Sequence, residues 1–362
     1  MVNRIAKLNY TRFIHNWLLS RYARIPYPLN AQIEITARCN LRCGFCGITQ
    51  NPALYNDREM TTQEIKGIVD QLGDLKITTI SVTGGEPLLR KDCGEIISHI
   101  KKHGCIAALA TNGWFLKERL ESGDLKDLEY VMVSLDSVNP ARHDKYRGAK
   151  GSWERAVEGI KEARRRHVTC IISSVITPET FREMEPLAKL AWKLGCAIEI
   201  MPCEDIVREE NGKTFRAPDI QKKHWIPNLR QWGRQIRYLI PRFPNLITDY
   251  FTARIVEEGG FCHTTFRCNV AKAYIFVRYN GEGNWPCKIH PVMRLNLLKY
   301  PINKVYRSKE IQDIMKMSDS YPFCKGCRLG CAIVATLSTK VISVLQKFGI
   351  WGFRWFIRRE SW

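Results

Sequence analysis

Cys39, Cys43 and Cys46 crowd one short run, Thr-Ala-Arg-Cys-Asn-Leu-Arg-Cys-Gly-Phe-Cys, at C-x3-C-x2-C spacing. Three thiolates on one loop can ligate three irons of a cubane [4Fe–4S] cluster and leave the fourth iron without a protein ligand. An open position is what metal catalysis needs, whereas a closed site only holds structure. A structural zinc site is the plain alternative. Zinc sites of that class draw four ligands from two CxxC-like pairs, and no fourth ligand lies near this loop.

The elements that must position the loop follow from periodicity. Between residues 31 and 202, short β-rich runs at 32–36, 77–83, 106–111, 130–135, 169–176 and 197–201 alternate with amphipathic stretches such as 62–72, 153–166 and 181–194. Such alternation implies a parallel sheet with right-handed crossovers. Six units predict an α/β fold, a partial (β/α)6 TIM-like barrel, with chemistry at the C-terminal ends of its strands. The cysteine loop falls at one such end. Outside the barrel, 1–30 reads as a basic amphipathic segment, 203–259 as a basic helical linker, 260–335 as a small cysteine-rich domain and 336–362 as a basic, aromatic amphipathic helix.

Lys and Arg number 56 against 36 Asp and Glu, a formal charge of +20 over 362 residues. That excess points to an anionic partner and does not choose among nucleic acid, acidic peptide and membrane surface. Fourteen cysteines without a visible signal peptide read as reduced thiols of a cytoplasmic protein, available for metal. No stretch is long and apolar enough for a transmembrane helix. Cys105, Cys170 and Cys196 fall at strand positions and read as small core residues, Cys93 has no reading, and Cys203 falls near the expected active-site mouth.

The cysteine loop, with Phe45 before its third cysteine, resembles the signature of the radical S-adenosylmethionine (SAM) superfamily over about residues 31–202. Thr83-Gly84-Gly85-Glu86-Pro87, after the second strand, is similar to that family's GGEP element. The resemblance implies that its backbone meets the SAM amino group, glycines allowing close approach. Asn112, Ser134 and Asp136 stand at the ends of the third and fourth strands, where the family binds the ribose and carboxylate of SAM. Such residues are also common as strand-end turns and caps. Arg147 could pair with a carboxylate of SAM or substrate, or simply lie on the surface. The implied chemistry is reductive cleavage of SAM to a 5′-deoxyadenosyl radical, which takes hydrogen from an unactivated C–H bond, with flavodoxin or ferredoxin as reductant. No general acid or base is legible.

Six more cysteines, Cys262, Cys268, Cys287, Cys324, Cys327 and Cys331, surround a hairpin signal in which an alternating run from Tyr274 meets Asn280-Gly281. The arrangement resembles the auxiliary-cluster domain called SPASM, or its shortened form, twitch. The full pattern has seven cysteines and two clusters, so the resemblance implies one auxiliary [4Fe–4S] cluster, most simply on Cys268, Cys287, Cys324 and Cys327. Cys262 and Cys331 leave a second arrangement open, and a zinc ribbon is the alternative.

Lys340, Lys347, Arg354 and Arg358 share one helical face opposite an aromatic one. A helix lying in the interface of the cell membrane's inner face has that pattern, and so does a terminal helix docked on the protein body. The favoured expectation is therefore a membrane lipid hydrocarbon chain as substrate. The alternative is a SPASM-type maturase acting on a ribosomally made peptide. A non-enzymatic iron–sulfur electron carrier or nucleic-acid binder is remote, and no nucleic acid is expected as partner.

Overall fold

The computed structural model describes residues 28–50, 56–203, 228–261, 267–324 and 327–338, with residues 14, 15, 18, 208–210, 213–215, 224 and 226 beside them. The sequence expectations for the N-terminal segment fall almost wholly, and those for the helix beyond 338 wholly, outside the described residues.

Six parallel strands run in chain order across one sheet: β1 (Asn30–Thr36), β2 (Thr79–Gly84), β3 (Ile106–Thr111), β4 (Tyr130–Ser134), β5 (Thr169–Ile176) and β6 (Ala197–Pro202). The crossovers carry α1 (Thr62–Asp74), α2 (Cys93–Lys102), α3 (Leu116–Glu121), the pair α4 (Pro140–Arg147) and α5 (Ser152–Arg165), and α6 (Met184–Lys193). This is the expected partial TIM-like barrel. Helix α1 starts where a capping box allows it: Thr61 accepts from the Glu64 N–H while the Glu64 side chain reaches back to the Thr61 N–H. Its Ile65, Ile68, Val69 and Leu72 then form the buried stripe.

Alternate strand residues point to opposite faces. One set is wholly apolar and in register: Ile33 lies opposite Val82, Val82 opposite Leu109, Leu109 opposite Val131 and Val131 opposite Cys170. These side chains are buried against the helices. Cys93, Cys105, Cys170 and Cys196 join the same core, and no disulfide joins any described cysteines.

Two features extend the barrel beyond its sequence outline. The segment after residue 260 does not fold apart: β9 (Tyr274–Val277) pairs parallel with β1, and β10 (Glu282–Pro286) and β11 (Pro291–Asn296) continue the sheet antiparallel to nine strands. A short pair, β7 (Arg208–Glu210) and β8 (Lys213–Phe215), stands outside it. The supposed linker is likewise part of the body. In α7 (Leu229–Leu239), Trp232, Ile236 and Leu239 repeat at helical spacing and are fully buried, packed beside α8 (Tyr250–Glu257). The chain then adds itself to the edge of β6 through Ile247 N–H to Ile198 C=O at 2.8 Å. Three further helices, α9 (Ile302–Arg307), α10 (Lys309–Lys316) and α11 (Gly330–Ser338), close the cysteine-rich end.

Candidate active site and auxiliary cysteine pocket

β1 delivers the cysteine loop to the C-terminal rim of the sheet, and the chain's own polar groups clamp it there. Arg42 N–H donates to Arg147 C=O at 3.1 Å and Gly44 N–H to Tyr146 C=O at 3.2 Å. From the other side, Gly85 N–H donates to Thr36 C=O and Glu86 N–H to Arg38 C=O, both at 2.8 Å. The Cys43 sulfur is buried; those of Cys39 and Cys46 belong to half-exposed residues. Burial pushes the Cys43 thiol up to about 11 against the pull of Arg147, and the proximity of Cys46 and Cys39 raises it further. Burial also raises Cys39, which feels Glu86 and Cys46. Three sulfurs this close on one loop, with Cys39 and Cys43 both resisting ionisation, are a donor set that wants a cation among them. The set fits a cluster with one free corner.

The eight residues expected around SAM divide by what they touch. Gly84 sits at φ 151°, and a Cβ there would lie 2.2 Å from the Thr36 carbonyl; one at Gly85 would lie 2.2 Å from the Arg38 carbonyl. The glycines therefore let this turn pack on the cysteine loop itself, a reason more immediate than ligand approach. The Glu86 side chain is fully buried and accepts from Thr111 Oγ1 at 2.7 Å, Asn112 N–H at 2.8 Å and Leu88 N–H at 3.1 Å. Burial outweighs those bonds and raises its carboxyl to about 7. Pro87 opens the buried turn that follows. The Asn112 amide donates to Asn40 Oδ1 at 2.9 Å and lies 3.9 Å from the Cys39 sulfur.

Asp136 and Arg147 face each other rather than an open pocket. Arg147 Nε donates to Asp136 Oδ2 at 2.7 Å, Asp136 Oδ1 accepts from Val175 N–H at 3.0 Å, and Arg147 Nη1 stands 3.8 Å from the Cys43 sulfur. The surface placement considered for Arg147 is excluded, since it is 7% exposed. Ser134 is half-exposed at the end of β4.

Sequence reasoning missed His224. It comes from the segment beyond β6 and packs edge-on against Phe45 and Tyr146, with ring centroids 6.1 and 5.5 Å apart. A Cβ at Gly44 would lie 3.0 Å from its Nε2. No local signal could have found it, because the contact joins residues far apart in the chain.

The strand face opposite the helices mixes polar and apolar groups, with Ala108, Ala110 and Tyr130 at its middle. Gln32, Ser81, Thr83, Ser134, Ser173 and Glu199 point into it, with Met132, Ile171, Val175 and Met201 on the β4–β6 side. Glu34, nearly buried on the same face, pairs with Lys288 at 2.7 Å. Lys288 follows Cys287, so this ion pair ties the barrel wall to the second cysteine site.

At that second site Cys268, Cys287, Cys324 and Cys327 line one cavity with Val270, Pro286, Phe323, Leu329 and Ala332. Burial pushes Cys268 up to about 12, with Cys287 and Cys324 adding to it. Cys287, Cys324 and Cys327 are raised for the same first reason. A four-thiol apolar pocket fits a fully ligated cluster. Cys331 is exposed on α11, and Cys262 lies outside the described residues.

Fold and site together define a radical SAM enzyme with an auxiliary-cluster region of the SPASM/twitch kind. The family description "Radical SAM superfamily" matches residues 33–191. A probable GTP 3′,8-cyclase of Thermococcus kodakarensis is 36% identical over 276 residues, 73% of this chain and 86% of that one. The chain belongs to this superfamily. An AdoMet-dependent heme synthase of Methanosarcina barkeri is 25% identical over 77% of this chain and 82% of its own. The antilisterial bacteriocin subtilosin biosynthesis protein AlbA of Bacillus subtilis is 31% identical over half of this chain, which spans 40% of AlbA. Among solved structures, Streptococcus suis SuiB bound to its precursor peptide SuiA superposes with a TM-score of 0.64 at 15% identity, covering 94% of this chain and 77% of that one. The family uses a [4Fe–4S] cluster with SAM, and SPASM-type members carry auxiliary clusters. Among the described residues, no helix is long and apolar enough to cross a membrane.

Proposed function

We propose that this radical SAM enzyme acts on a peptide. The observation that carries the proposal is the set of polar groups on the inner face of the barrel, Glu34 and Glu199 among them. A hydrocarbon chain laid there would cover the half-exposed hydroxyls of Thr83, Ser134 and Ser173 and the Glu199 side chain and return no hydrogen bonds, a costly exchange. A peptide offers backbone donors and acceptors to the same groups and apolar side chains to Met132, Ile171, Val175 and Met201. The biosynthetic role in AlbA's name agrees with this reading. The lipid expectation drew on residues 336–362, nearly all outside the described set, and finds no support in the barrel.

In this reading Cys39, Cys43 and Cys46 hold the SAM cluster, and Cys268, Cys287, Cys324 and Cys327 hold one auxiliary cluster. Bound there, cluster and SAM supply a 5′-deoxyadenosyl radical. The protein's own residues hold the reactants in register. The backbone at Gly84–Pro87 and the half-exposed Ser134 receive SAM, Arg147 and Asp136 brace the loop under it, and Asn112 fixes Cys39. The electron comes from a low-potential carrier such as flavodoxin or ferredoxin.

The test is anaerobic turnover of the reconstituted enzyme with SAM and dithionite. One arm contains short peptides encoded beside the gene and the other anionic lipid vesicles. Formation of 5′-deoxyadenosine matched by a mass change in a peptide is expected, with Glu34→Gln lowering kcat/KM for that peptide. Modification of lipid acyl chains with untouched peptides would overturn the proposal.

A further inference from the structure

Outside both cysteine sites, two histidines and an aspartate converge between α1 and α2. His99 and His103, four residues apart at the end of α2, both aim Nε2 at Asp70 Oδ1 on the last turns of α1, at 2.6 and 2.8 Å. The two rings meet at 64° with centroids 5.2 Å apart, an angled approach that brings their nitrogens together. All three ligand atoms lie within 4.8 Å of one another. Asp70 is half-exposed, at 51% of its side chain, so an ion has a way in.

The neighbouring backbone is shaped to the cluster. Gly73 sits inside α1, where glycine weakens a helix. A Cβ there would lie 2.5 Å from His103 Nδ1 and 2.7 Å from its Cγ. The missing side chain is thus the socket that seats the His103 ring.

The geometry points to a binding site for a first-row divalent transition metal, Zn2+ above all, at Asp70, His99 and His103. Two imidazoles and a carboxylate are ligands that suit Zn2+, Ni2+, Co2+ and Cu2+ rather than Mg2+ or Ca2+. Three protein ligands leave one position for water. A small shift of the exposed carboxylate opens the space between the three atoms to an ion. The site lies at the ends of α1 and α2 that lead into β2 and β3, opposite the rim that carries the cysteine loop, so its work is structural. It clips two outer helices together at their last turns. The residue after Asp70 also carries load: Gln71 Oε1 accepts the Ile302 N–H at 2.8 Å, where α9 of the cysteine-rich end begins. A metal clip would stiffen the turn on which that end rests.

The experiment uses the reconstituted enzyme with its iron quantified, equilibrated against Zn2+ and analysed for metal by mass spectrometry. The wild type is expected to bind one more zinc per chain than His99→Gln/His103→Gln, at equal iron content. Gly73→Ala should weaken that binding by roughly tenfold or more, since it displaces a ligand's support. Zn2+ should also shield His99 and His103 of the wild type from diethyl pyrocarbonate, which needs no variant to fold. Equal zinc in wild type and double variant, or unshielded histidines in the wild type, would reduce the cluster to a hydrogen-bonded clamp and overturn the assignment.

Discussion

The two cysteine sites solve opposite problems. The first offers three sulfurs on a single loop at the rim of the sheet, and its surroundings are polar: Asn112 against Cys39, Arg147 against Cys43, and backbone N–H groups from the Gly84–Pro87 turn. The second gathers four sulfurs from three separate segments and walls them mainly with Val270, Phe323, Leu329 and Ala332, with His290, Ser318 and Asp319 beside them. Three ligands amid hydrogen-bonding groups leave a corner for a substrate. Four ligands amid mainly apolar walls leave none. Coordination number and wall chemistry agree at each site, so the division between reacting and supporting centre is built into both.

Breaking each site in turn should give different failures. Cys43→Ala should have the largest effect: 5′-deoxyadenosine formation by the reduced enzyme falls by at least about a thousandfold, measured by chromatography under anaerobic conditions. Cys324→Ala should cut iron from about eight to about four per chain, leave SAM cleavage measurable and abolish peptide modification. Loss of SAM cleavage in both variants alike would mean that the two sites do not divide the work.

Much of this comparison was legible beforehand, for reasons that differ by residue. C-x3-C-x2-C is a local pattern, so sequence spacing alone identifies Cys39, Cys43 and Cys46. Strands β1–β6 announce themselves by a local period. The union of β9 with β1 does not, because four residues carry no sign of which distant edge they will join. Trp232 and Ile236 fall in the stretch whose pattern already reads as helical; what basic flanking residues hide is that one apolar stripe is enough to bury that helix. By sequence Asp136 is a rim residue facing ligand, and Arg147 a partner for a carboxylate or a surface group. Their spacing could not reveal that they satisfy each other first.

Glu86 sharpens the contrast by a different route: it braces the first site as a fully buried carboxyl, whereas Asp319, which lines the second, is half-buried. Its carboxyl is raised from about 4.5 to about 7, chiefly by burial. A raised acid favours the folded state most in its protonated form. Its contribution is complete below pH 4.5 and declines as pH rises through about 7, by about 3 kcal/mol across that interval. Unfolding of the wild type should therefore become easier between pH 5.5 and 8 than unfolding of Glu86→Gln, which cannot ionise. Parallel pH profiles would show that the bonds from Thr111, Asn112 and Leu88 hold the carboxylate charged throughout.

The smallest effect belongs to Cys331, and it decides the ligand count of the second site. Cys331 lies on α11, one turn beyond Cys327, close enough to raise the Cys327 thiol. It is exposed, however, and does not line the cavity that the other four share. Cys331→Ala should leave iron content, 5′-deoxyadenosine yield and peptide modification at wild-type levels, with stability changed by no more than about 0.5 kcal/mol. A loss of about four irons from this variant, matching Cys324→Ala, would put Cys331 among the ligands. The pocket, already bounded by Ala332 of α11, would then have to extend past that residue to the helix's exposed side, and the closed character that separates the second site from the first would be lost.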